Sequence, residues 1–176
     1  LLHQLVDVAG VAQEDITVFD ASRPIPNWFH NRVYYESYPA DPLVEEFSHI
    51  HYVDSLGGAT GREQVVPSST HMYFSDGTVR TLPSCVADAN YIIDMPLLKR
   101  HPISNGVTLS GKNFFGSFIE QVSDIHPYHL SGLTMGNPAP QVDLFAYEHL
   151  GGKTLLYLGD GTFATKVDHR TIAKFL

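Results

Sequence analysis

Two lysines, an arginine, a histidine, an aspartate and three glycines fall within the 23 residues from Asp94 to Gly116. Their order is Asp94-Met-Pro-Leu-Leu-Lys99-Arg-His101-Pro-Ile-Ser-Asn-Gly106-Val-Thr-Leu-Ser-Gly111-Lys112-Asn113-Phe-Phe-Gly116, and the apolar run Tyr91-Ile-Ile93 leads into it. A lysine ammonium offers a point charge to a phosphate or carboxylate, or a nucleophilic amine when desolvated. An imidazole takes or gives a proton near neutrality. Lys99 and His101 are two apart, so in an extended segment they share a face, and Lys112 follows across a glycine-containing loop. Cations and glycines after a buried strand mark a place where backbone and charge converge on a ligand. The plainer alternative is two solvated lysines and a histidine that merely precedes a loop proline.

The histidines suggest a second chemistry, since there are ten of them in 176 residues. His49 and His51, two apart beside a strand-like Ile50-His-Tyr-Val53, could reach one metal ion, with Asp54 completing the set. The commoner reading is the polar face of a strand. His126-Pro-Tyr-His129 has a spacing that would align both rings on a helix, but Pro127 favours a loop. Gly159-Asp160-Gly161 after an apolar run is a tight turn that exposes a carboxylate, a weak signal because many turns look alike. Cys85 has no cysteine partner and reads as packing.

Composition bounds these readings. The chain is 43% hydrophobic and 17% charged, as expected of one globular α/β domain over residues 1–176, taken as a fragment of a longer one. No apolar run approaches the ~20 residues that span a bilayer. The chain starts without Met, so it reads as processed or excised, and an export signal could have been removed. That leaves both a cytoplasmic and an exported location open. The net charge of −8 argues against nucleic acid, whose binders carry a basic patch. Cations gathered at 99–112 within an acidic chain favour a local anion site. One cysteine excludes both an intrachain disulfide and a four-cysteine iron–sulfur cluster built from this chain alone.

The elements that must position these residues follow from periodicity. Leu2, Leu5, Val6, Val8 and Ala9 form a helical face stopped at Gly10. Strands are expected at 16–19, 50–53, 65–66, 71–74, 78–82, 91–93 and 154–158, the last of them buried, and Ser75-Asp-Gly77 is a hairpin turn. Helices are expected around 28–36 and 142–150, with a helix or turn at 42–47, a helical turn at 84–89 and an ambiguous segment at 106–118. Buried strands alternating with helices predict an α/β fold: a largely parallel or mixed central sheet flanked by helices, with an inserted β-hairpin near 71–82. Asp20, Asp94 and Asp160 each follow a strand, and in open α/β sheets ligands bind beyond the strands' carboxyl ends. The three acids are therefore expected on one rim.

Asp94-Met-Pro-Leu-Leu-Lys99-Arg-His101 followed by Val107-Thr-Leu-Ser-Gly-Lys112-Asn113-Phe-Phe-Gly116 resembles the family called domain of unknown function 362. Its members carry a similar Pro-x-x-Lys-x-His run and then Thr-Leu-x-x-Lys-Asn-x-x-Gly. Leu155-Leu-Tyr-Leu-Gly-Asp160-Gly looks like that family's next strand and acidic turn. The family has no settled activity. Some members carry ferredoxin-like cysteine motifs, which are missing here. A fainter similarity, through His101, Gly106 and Ser110-Gly111-Lys112, is to lactate racemase and its relatives. There a lysine tethers a nickel-pincer nucleotide and a later histidine ligates the metal, the place of His126 or His129. The doubled glycine of that family is here Ser110-Gly111.

These observations combine into an expected site. Lys99 and Lys112 would hold the negative charge of a small molecule or cofactor, while Asn113 and the backbone at Gly111 and Gly116 orient it. His101, Lys112 and Asp160 are the candidate catalytic residues, and Asp20, Asp94 or Asp160 could orient the histidine. The rivals are a metal-binding domain using His49, His51, His126 and His129, and an interaction module built on the aromatic stretch Trp28–Tyr38.

Overall fold

The computed structural model describes residues 1–37, 39–58, 61–98, 109–120, 140–159, 163–165 and 172–174. The α/β class is borne out, and the chain comprises two compact units, Leu1–Val66 and Pro67–Leu176. Parallel pairing joins three strands in the first unit and two in the second.

In the first unit the opening helical face winds as a wide turn over Gln4–Val8, closed by the Ala9 amide donating to the Gln4 carbonyl at 3.0 Å. Gly10 ends it at φ +72°, a conformation that costs glycine little. Strand β1 (Thr17–Asp20) follows, then helix α1 (Asn27–Tyr34), begun after Pro26 in extended conformation. Strand β2 (Tyr35–Ser37) pairs antiparallel with β3 (Asp41–Glu45), which corrects the helix or turn expected at 42–47. Pro42 reads as a breaker in sequence, whereas the pairing of Tyr35 with Glu45 and of Ser37 with Asp41 decides the outcome. β4 (His51–Asp54) runs parallel to β1 and to β5 (Glu63–Gln64), giving the order β1-β4-β5. β5 lies just before the Val65-Val66 strand expected from composition.

Ile16, Ile25, Phe47, Ile50 and Tyr52 form the core of this unit, with Leu2, Leu5, Val6, Val33 and Tyr34 packed against it. The helical face at the N-terminus is thus a lid of the core, as its apolar spacing requires. Each such side chain contributes about 1.5–3 kcal/mol when fully buried. Tyr52 keeps its hydroxyl satisfied by donating to the Phe47 carbonyl at 3.1 Å, and burial pushes its phenol pKa up.

In the second unit β6 (Pro67–Tyr73) and β7 (Val79–Pro83) form the expected antiparallel hairpin. Its turn works as the sequence implies. Gly77 takes φ +86°, and Asp76 Oδ1 accepts the Thr78 amide at 2.9 Å. Helix α2 (Ser84–Ala87) leads to β8 (Ile92–Asp94). Helix α3 (Ser110–Asn113) continues as a 3-10 turn over Phe114–Ser117, which resolves the ambiguous segment. Helix α4 (Pro140–Ala146) and a 3-10 turn at Gly151–Lys153 precede β9 (Thr154–Tyr157), which pairs parallel with β8. A short antiparallel pair, β10 (Phe163–Thr165) and β11 (Ile172–Lys174), was not foreseen. The strand 154–158 is not buried as expected: Leu155 is 68% exposed, because β8 is its one strand partner among the described residues.

Met72, Leu82, Val86, Phe118, Leu144 and Leu150 are the buried apolar side chains that hold this unit. Asp143 of α4 accepts the Ser75 amide at 2.9 Å, anchoring the hairpin turn. Lys153 donates to the Ala87 carbonyl at 2.7 Å, capping the last turn of α2. Cys85 sits next to Val86, and burial pushes its thiol up to about 11, in keeping with a packing role.

Candidate functional site

Asp94 ends β8, and its side chain is 3% exposed. Its Oδ1 accepts Asn113 Nδ2 at 2.5 Å. This contact brings the two halves of the Asp94–Gly116 segment together across 19 residues. Oδ2 of Asp94 is buried with no hydrogen-bond partner among the described residues. Burial raises the Asp94 pKa above its ordinary value of 3.8, against the smaller lowering by Asn113 and Ser110.

The parallel pairing puts the carboxyl ends of β8 and β9 side by side, with Asp94 opposite Tyr157. The Leu158 amide then donates to the Asp94 carbonyl at 2.8 Å, so both chains leave the sheet at one place. Under this rim lies an aromatic support. Tyr157 packs on Phe145 of α4 at 5.7 Å between ring centroids, and Phe145 packs on Phe114 at 5.6 Å. Gly111 has its own reason to be glycine: a Cβ there would stand 2.7 Å from Phe145 Cε2. A side chain at this glycine would force the Phe145 ring to shift, so packing bears on the position apart from any ligand.

Lys112 stands in α3 beside Asn113, half-buried and engaged by a neighbouring group. Gly116 lies in the 3-10 turn between buried Phe115 and Ser117. Lys99, His101, His126, His129 and Asp160 lie outside the described residues. The segment with Lys99 and His101 is bracketed by described chain, leaving after Leu98 and re-entering at Leu109 just before α3. Ser110, in α3, and Tyr157, opposite Asp94, were not singled out among the candidate residues in the sequence. Ser110 had a signal, since it stands three residues before Asn113 and helical spacing puts both on one side.

The other acids behave differently. Asp20 and Asp54 are neighbours in the β1–β4 register, and both carboxylates are taken up by loop amides. Asp20 Oδ1 accepts the Ser22 and Arg23 amides, each at 3.1 Å, so it shapes its own turn. Asp54, 2% exposed, accepts the Ile25 amide at 2.8 Å, the Leu56 amide at 3.0 Å and the Gly57 amide at 2.6 Å. The Arg62 guanidinium lies 3.7 Å from it and also donates to Asn27.

His49 and His51 line one pocket of about 330 Å³ together with Tyr34, Ser48, Arg62 and Glu63. Each turns Nδ1 to a carboxylate, His49 to Glu14 at 3.4 Å and His51 to Glu63 at 2.7 Å. Asp54 does not join them, because it is three residues from His51 on the strand and points into the unit. Among the described residues no three His, Cys, Asp or Glu side chains converge to hold a metal ion. Trp28 and Phe29 of the aromatic stretch are exposed on α1, while Tyr34 packs on the core.

Fold and rim thus define an α/β protein with a buried acid at the carboxyl end of β8. The model of the family described as Domain of unknown function (DUF362) matches residues 1–134, and the chain belongs to that family. The matched stretch contains the whole Asp94–Gly116 segment and stops short of β9. No curated protein and no solved structure matches the chain. No helix among the described residues is long and apolar enough to cross a membrane.

Proposed function

We propose that the chain binds an anionic small molecule or cofactor at the strand-end rim of β8 and β9. Lys99 and Lys112 supply the positive charge, Asn113 orients the ligand, and His101 is the acid/base group if the bound molecule is turned over. The observation that carries this reading is the Asn113–Asp94 hydrogen bond of 2.5 Å. It ties α3, which carries Lys112, to the end of β8. Strand ends of this kind are where open α/β sheets place their ligands. The rival metal centre draws only on His49 and His51 among the described residues, without a third ligand there.

Lys112→Ala and His101→Ala proteins are expected to keep the circular dichroism spectrum and cooperative melt of the parent while binding inorganic phosphate at least about tenfold more weakly, as befits one lost charge-assisted contact. Calorimetric titration with phosphate reads this. Collapse of the fold in both variants would make the residues structural and end the proposal.

A further inference from the structure

The geometry points to a second site, in the first unit: His49 and His51 form a two-imidazole seat for a divalent transition-metal ion of the zinc type, with water in the ion's remaining positions. This inference does not rest on the anion site at the β8–β9 rim.

The chain alternates between core and surface as it enters β4. Ile50 and Tyr52 are buried, at 5% and 1% exposure, so His49 and His51 stand together on the open face. Both line the pocket of about 330 Å³. Their backbone is fixed on either side of Ile50. The His51 amide donates to the Ile16 carbonyl at 3.0 Å, and the His49 amide donates to the Gln13 side-chain oxygen at 3.2 Å. Gln13 is itself held, its Nε2 donating to the Glu46 carbonyl at 2.9 Å. Residues two apart on extended backbone begin about 6.6 Å from each other, a span that two imidazole rings can close upon one ion.

The rings are turned for that task. His51 Nδ1 meets Glu63 Oε1 at 2.7 Å, and His49 Nδ1 lies 3.4 Å from Glu14 Oε1. A carboxylate has no proton to give, so Nδ1 carries it and the lone pair falls to Nε2. Nε2 of neither ring has a partner among the described residues. A carboxylate on the far nitrogen is the usual support of a metal-binding histidine, because it fixes the tautomer and raises the basicity of the ligating nitrogen. Here the two supports come from separate elements, Glu14 from the 3-10 turn Gln13–Asp15 and Glu63 from β5.

Charge selects a cation over an anion. Glu14 and Glu63 flank the rings, while the Arg62 guanidinium that lines the pocket is directed inward, 3.7 Å from Asp54 and hydrogen-bonded to Asn27. Imidazole nitrogen suits zinc, copper and nickel, whereas calcium and magnesium take oxygen. No third His, Cys, Asp or Glu converges with the pair among the described residues, so water completes the shell and the ion is exchangeable.

Zinc chloride titrated into the full chain, purified without a histidine tag, tests this, with NMR following the histidine ring signals and a chromophoric chelator in competition giving the affinity. The first equivalent of zinc is expected to move the rings of His49 and His51 together, Nε2 most of all. His49→Gln and His51→Gln are each expected to keep the thermal melt of the parent, since the two side chains are 70% and 48% exposed. Each is expected to bind zinc at least about tenfold more weakly, the least that losing even an outer-shell partner costs. First-equivalent shifts at other histidines with these two unmoved, movement of one ring without the other, or a variant that binds zinc as tightly as the parent overturns the proposal. Phosphate binding at the rim is read by a separate titration, so failure of one site leaves the other standing.

Discussion

Asp54→Ala destabilises the first unit by about 3–5 kcal/mol, the range for removing one partner of a buried charged pair. The carboxylate is the node of that unit's strand-end loops. It gathers amides from Ile25, Leu56 and Gly57, which belong to two separate loops, and it faces Arg62, whose side chain is 4% exposed. Without it, three amides lose their acceptor and a buried guanidinium loses its counter-charge. Each unsatisfied buried donor costs about 1–3 kcal/mol. Urea denaturation followed by circular dichroism should show the midpoint falling sharply, and Asp54→Asn, which keeps the acceptor oxygen, should fall less. A midpoint within error of the parent would mean that water replaces the carboxylate and that these loops are not tied through it.

Gly151→Ala is expected to cost about 3 kcal/mol, at the upper end of overpacking effects, and to weaken phosphate binding as well. A Cβ at this position would overlap the Phe145 carbonyl oxygen, an atom of α4 backbone that has no rotamer through which to yield. Relief requires moving the end of α4 away from the turn that starts β9. Phe145 also packs on Phe114 and Tyr157 and closes over Gly111, so a shift there loosens the support under Asp94 and α3. Stability and binding should therefore fall together, measured by thermal melting and by phosphate titration. Lowered stability with unchanged binding at a temperature where the variant is folded would separate the rim from α4.

How far these features could be read from the residues depends on the range over which each is determined. The β6–β7 hairpin was legible because its turn is local: Asp76 and Gly77 satisfy it within three residues. The stop at Gly10 was legible for the same reason. β3 was not, since Pro42 suggests a break and only the pairing with β2 makes an edge strand there tolerable. The role of Asp54 was hidden because its donor at Ile25 lies 29 residues away. Of the two described acids read on a rim, Asp94 has its carboxyl held by the candidate segment itself, whereas Asp20 serves its own loop. Gly111 was assigned to a ligand from its neighbours in sequence, while a ring from α4 supplies a packing reason that no local pattern contains.

The account's central claim is that the anion site lies at the β8–β9 rim of the second unit and not at the His49–His51 pocket of the first. Amide chemical-shift mapping by NMR during titration with inorganic phosphate tests it most directly. The expected result is that shifts gather at Asp94 and Met95, at Ser110 through Asn113, and at Leu158 and Gly159. Shifts confined to the neighbourhood of His49, His51 and Arg62, or none at saturating phosphate, would contradict it.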